Sequence, residues 1–149
     1  MNDRSDTILQ VEDDADDVLL LRRAFQKAGV APPLQVVRDG EAAVAYLAGQ
    51  NEYADRQRYP LPSLVLLDLK LPLKPGLDVL SWIRRNPSLK YVPVVILTSS
   101  QEPSDLRGAY DRGANSYLVK PVGTDLFTRM ARTLAEYWIS LNREAEAVS

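Results

Sequence analysis

The chain contains no cysteine and no histidine. The first absence removes disulfides, thiolate catalysis and cysteine-held metals. The second removes a Ser-His-Asp triad, imidazole general bases and the usual zinc sites. Any bound metal must be held by oxygen, which points to magnesium, calcium or manganese. Lysine and arginine number 18 against 20 acids, a net charge of −2, so there is no basic footprint for nucleic acid. No apolar run approaches the length of a membrane span, and Met1 to Asp6 is polar without a signal-peptide core. The expectation is a cytoplasmic protein with neither nucleic acid nor membrane as partner.

What is present suits one globular domain over residues 1–149, ending in a short polar tail at 143–149. Strand and helix patterns alternate. Strands are predicted near Thr7–Glu12, Leu34–Val37, Ser63–Leu67, Pro93–Leu97 and Ser116–Val119. Helices are predicted near Ala15–Ala28, Gly40–Ala48, Gly76–Arg85, Ser104–Arg112 and Thr124–Asn142. The runs Leu64-Val65-Leu66-Leu67 and Val94-Val95-Ile96-Leu97 are continuously apolar, as parallel strands covered on both faces are. The last helix carries Phe127, Met130, Leu134, Trp138 and Leu141 at helical spacing, a stripe that fits packing on the sheet or a partner surface, with Trp138 and Leu141 late enough to overhang the domain and leave an interaction role open. The segment Gly49–Pro62 is the one long connection and interleaves Tyr53, Arg56, Arg58 and Tyr59. It reads either as a solvated insertion or as a partner contact.

Four apolar runs end on residues able to handle a phosphoryl group or a metal. Ile8–Val11 runs into Glu12, Asp13 and Asp14; Leu64–Leu67 into Asp68; Val94–Leu97 into Thr98; Tyr117–Val119 into Lys120. In an open parallel sheet, ligands bind outside the carboxyl ends of the strands. Taken alone, each position has a structural explanation. Asp14, Asp16 and Asp17 suit a helix start, where the macrodipole favours acids. Asp68 is different, because an ionised carboxylate after a fully apolar strand has no structural use. If the first and third strands are neighbours, Asp68 faces Glu12 and Asp13. Clustered carboxylates repel, and a divalent cation relieves the repulsion. Magnesium suits a site with few protein ligands and a phosphate oxygen. A hydroxyl and an ammonium on the same rim supply the charge stabilisation that phosphoryl transfer needs, with Asp68 the fitting nucleophile.

The stretches ILQVEDD, LVLLDLKLP followed by PGLDVL, VVILTSS and GANSYLVKPV, in that order and spacing, resemble the response-regulator receiver domains of two-component signalling. The resemblance spans nearly the whole chain. It implies a flavodoxin-like, doubly wound α/β fold with a five-stranded parallel sheet in order 2-1-3-4-5 and helices on both faces. It implies a binding switch, not an enzyme. Asp68 resembles the phosphoacceptor. Glu12 and Asp13 resemble the acidic pair that, with Asp68 and the Lys70 backbone carbonyl, holds Mg2+. Thr98 and Lys120 match the phosphoryl-contacting hydroxyl and lysine, and Tyr117 the switch aromatic. Lys120–Pro121 matches a bond often cis in the family.

A sensor histidine kinase is the implied phosphoryl donor. The Glu52-Tyr53-Ala54-Asp55-Arg56 insertion and the Tyr137-Trp138 end resemble single-domain receivers paired with phytochrome-type kinases, some of which form homodimers. With little chain after the last helix, the expected output is binding to a downstream protein, self-association or onward phosphotransfer. Lys70 and Ser100 stand at positions that vary in the family. The runner-up is a phosphorylation-independent pseudo-receiver. A haloacid-dehalogenase-like phosphatase needs a second acid where Lys70 stands, and a flavodoxin-like electron carrier would not place Glu12-Asp13-Asp14 against a flavin phosphate.

Overall fold

The computed structural model describes residues 5–30 and 32–145. Five parallel strands, β1 (Ile8–Val11), β2 (Leu34–Val37), β3 (Leu64–Leu67), β4 (Val94–Thr98) and β5 (Ser116–Val119), form one sheet in the order β2-β1-β3-β4-β5. The helices are α1 (Ala15–Lys27), α2 (Gly40–Ala48), α3 (Gly76–Arg85), α4 (Pro103–Asp111) and α5 (Thr124–Leu134). Successive strand residues point to opposite faces. Leu9, Val11, Val65, Leu67, Val94 and Ile96 therefore pack with α2 and α3, while Ile8, Leu64, Leu66 and Val95 pack with α1 and α5. Both faces of β3 and β4 are buried throughout, which is why their sequences are uninterrupted apolar runs.

Thr98 belongs to β4, one residue beyond the predicted end. It pairs in register with Val119, and the Lys120 amide donates to its carbonyl at 2.8 Å. The ladder to β5 extends the strand although threonine ends the apolar run. The last helix also departs from its predicted form. It is α-helical to Leu134 and continues as a π-helix over Ala135–Leu141. The wider turn brings Trp138 and Ile139 against the α1/α5 core, while Leu141, at the overhanging end of the stripe, is 70% exposed. Among the described residues every peptide bond is trans, Lys120–Pro121 included, the isomer that X–Pro amides favour by about 0.5–1 kcal/mol.

The connection after α2 is exposed at Gln50–Glu52, Ala54, Asp55, Gln57 and Arg58, while Tyr53, Arg56 and Tyr59 between them are partly buried. It opens with a 3₁₀ turn at Asn51–Ala54 and folds back on α2. The rings of Tyr46, Tyr53 and Tyr59 form a cluster with centroids 5.0–5.9 Å apart. Arg56 donates to the carbonyls of Tyr46 and Leu47 at 2.8 and 2.9 Å and to Tyr59 at 3.2 Å. Tyr46 and Leu47 lie in the last turn of α2, where the Tyr46 carbonyl also accepts from the Gly49 amide at 3.1 Å and Arg56 supplies further donors to the helix end. Arg56→Ala is expected to lower stability by about 1–2 kcal/mol, read as an earlier urea midpoint at unchanged slope. Arg56→Lys recovers little of it, because an ammonium cannot reproduce the planar fork.

Candidate functional site

The sheet register sets the geometry of the rim. Val11 pairs with Leu67, so the residues that follow, Glu12 and Asp68, leave the sheet side by side. Leu67 pairs with Ile96, and Thr98 with Val119, which brings Thr98 and Lys120 to the same edge. Glu12, Asp68 and Thr98 are buried. The structure thus gathers Glu12, Asp68, Thr98 and Lys120. It leaves Asp13 exposed, with its carbonyl accepting from Arg38 at 2.8 Å.

Lys120 is the centre of the arrangement. Its Nζ lies 2.8 Å from Glu12 Oε1, 2.7 Å from Asp17 Oδ2 and 2.9 Å from Asp68 Oδ2. An ammonium has three N–H donors, and three acids take them. Burial disfavours the Lys120 cation, but the bonds to Asp17, Glu12 and Asp68 outweigh it and hold its pKa above the ordinary lysine value. Asp68 is also buried, yet the Lys120 and Thr98 hydrogen bonds keep its carboxyl below the usual aspartate range. Its Oδ1 accepts from the amides of Leu69 at 2.7 Å and Lys70 at 3.4 Å. Glu12 bears the cost of the crowding: burial, with a contribution from the Asp68 charge, pushes it up to about 7 against the pull of Lys120 and the Asp14 amide.

Asp14 caps α1, its Oδ1 accepting from the amides of Asp16 at 2.8 Å and Asp17 at 3.3 Å. Asp17, assigned from sequence to the helix start alone, points instead into the site. Lys70 contributes its backbone amide beside Asp68, while the residue as a whole is exposed. Tyr117 is half-buried and its hydroxyl donates to the Ser100 carbonyl at 3.0 Å. Ser100 in turn donates to Asp105 at 2.5 Å, so one buried serine ties the loop after β4, the start of α4 and the β5 tyrosine together.

The point where the carboxylates of Glu12, Asp17 and Asp68 converge is held by the Lys120 Nζ. The Lys120 ammonium is the cation among them. The donor set still fits a hard divalent ion: its side chains offer carboxylate oxygen only, two of the carboxylates are buried, and their repulsion already calls for positive charge.

Residues 8–132 match the response regulator receiver domain family. The chain belongs to that family. Receiver domains are signalling modules of two-component systems. This receiver domain is 43% identical to the probable methanogenesis regulatory protein FilR2 of Methanothrix harundinacea, over 91% of this chain and 85% of that one. It is 37% identical to response regulator Rcp1 of Synechocystis sp., over 93% of this chain and 95% of that one. The Mn2+-bound form of Rcp1 superposes with a TM-score of 0.83 at 35% identity, covering 95% of this receiver domain and 99% of Rcp1. The phosphorylated cyanobacterial phytochrome response regulator RcpA gives 0.86 at 35% identity, with the same coverage.

Proposed function

We propose that this receiver domain accepts a phosphoryl group on Asp68 from a sensor histidine kinase, in a magnesium-dependent reaction in the cytoplasm. The observation that carries the reading is the Asp68 carboxylate: buried, held ionised, one oxygen fixed by two amides and the other facing an ammonium. An Asp68 oxygen attacks the phosphorus of a phosphohistidine, the P–N bond breaks, and the imidazole leaves as the acyl phosphate forms. Lys120 and the Thr98 hydroxyl are placed to hold phosphoryl oxygens. Glu12, Asp13, Asp68 and the Lys70 carbonyl are the candidate holders of Mg2+, which supplies charge neutralisation at the transferring group. The Mn2+-bound form of Rcp1 supports a divalent ion, and the phosphorylated form of RcpA supports the modification.

The output is altered protein binding or onward phosphotransfer. Thr98 turning towards the new charge frees Tyr117 to leave the Ser100 carbonyl. Leu106, Tyr110, Val119 and Val122, all exposed on α4, β5 and the loop after it, lie where that change is presented to a downstream protein or a second copy. The phytochrome response regulators among the structural relatives point to a phytochrome-type kinase.

The second reading is a phosphorylation-independent binding module. Acetyl phosphate or beryllofluoride with magnesium separates the two. An adduct in the wild type that Asp68→Asn abolishes is the expected result; no Asp68-dependent adduct at any magnesium concentration leaves the binding-module reading in its place.

A further inference from the structure

Lys120 has three carboxylate partners, and they are not equivalent. Glu12 and Asp68 are candidate metal holders, whereas Asp17 lies on the first turn of α1, outside that set. The Asp14 cap fixes the turn by taking the Asp17 amide, and from that turn the Asp17 carboxylate reaches Lys120. The Lys120 side chain is only 12% exposed. A divalent ion on Glu12 and Asp68 would take two of its three partners and repel it as well. An ammonium left there without a carboxylate would be a buried unpaired charge, a costly state. Asp17 at 2.7 Å is the partner that remains.

We propose that Asp17 is a positioning residue that keeps Lys120 paired at the rim when Glu12 and Asp68 turn to a divalent cation. It lowers the cost of admitting the metal and holds Nζ within reach of a phosphoryl oxygen on Asp68. The inference rests on the reading of Asp68 as a metal-assisted phosphoacceptor.

The control is Asp16, which is exposed and sits beside Asp17 on the same turn. Asp16→Asn removes the same charge without touching Lys120. Mn2+ binding to the full chain, followed by the electron paramagnetic resonance of free Mn2+, reads the effect directly. Asp17→Asn is expected to weaken binding about tenfold, as for loss of one hydrogen bond to a charged group, and Asp16→Asn by about twofold or less. Asp17→Glu keeps the carboxylate one methylene further out, and its binding falls between those of the wild type and Asp17→Asn. Equal weakening by Asp16→Asn and Asp17→Asn, or tighter binding in Asp17→Asn, overturns the role of Asp17 and leaves the phosphoacceptor reading intact. Wild-type Mn2+ binding that is absent, or that survives Asp68→Asn, overturns the phosphoacceptor reading and this inference with it.

Discussion

Lys120→Met lowers stability by about 3–5 kcal/mol in metal-free solution above neutral pH, the range for removing one partner of a buried ion pair. Methionine fills a similar volume, so the loss reports charge and not a cavity. Three acids, two of them buried, then face one another with no cation between them. Two further measurements identify the cause. Magnesium recovers part of the loss in the variant, because an ion that binds the folded state alone stabilises it by mass action. The deficit also depends on pH. Glu12 already stands raised to about 7 from 4.5. An acid whose pKa is raised on folding binds protons more tightly in the folded state. Its contribution is therefore fullest below 4.5 and declines as pH rises through the folded value. Without Lys120, Glu12 moves further up and Asp68, which the lysine holds low, rises as well, so the decline extends beyond neutrality. The gap between variant and wild type thus widens as pH rises from about 5 to about 8. A gap that does not change with pH would mean that Lys120 acts by packing alone.

The rim was legible because its signal is local: an apolar run followed at once by an acid, a hydroxyl or an ammonium. β2, β5, α2 and α3 lie at their predicted bounds, since apolar periodicity and flanking proline or glycine mark both ends. What the sequence hid depends on contacts distant in the chain. Asp17 is as good a helix-start acid as Asp16, and only the return of Lys120 from β5, over a hundred positions on, separates them. The Gly49–Pro62 segment has the composition of a solvated loop, yet its tyrosines stack on Tyr46 of the preceding helix. The π turn at Ala135 has no compositional mark, because α- and π-helices draw on the same residues.

Gly76→Ala is the substitution that tests how the loop after Asp68 is held. Gly76 opens α3, where alanine would ordinarily favour the helix by up to about 1 kcal/mol. Here a Cβ would collide with the Asp68 carbonyl oxygen and stand 2.7 Å from the Leu69 Cα. Both obstacles are backbone, so no rotamer change relieves them. The same contact is tied by the Gly76 amide, which donates to the Leu69 carbonyl at 2.9 Å. At the far side the loop meets α2, where the Gly40 amide donates to the Pro72 carbonyl at 3.2 Å, and Leu73 between them adopts a left-handed φ of 69°. A bulky residue holds that conformation only where its surroundings impose it. The expected loss for Gly76→Ala is about 3 kcal/mol, the upper end of overpacking, because the steric term exceeds the helix gain. Gly29→Ala is the comparison. Gly29 has φ +75° but nothing within 4 Å of a Cβ, so it bears only the left-handed penalty of about 1–2 kcal/mol. Urea midpoints should rank wild type, Gly29→Ala, then Gly76→Ala. Only the last should also slow Asp68 adduct formation with acetyl phosphate, because only there does the added methyl press on the peptide that carries the Asp68 carbonyl and the two amides holding Oδ1.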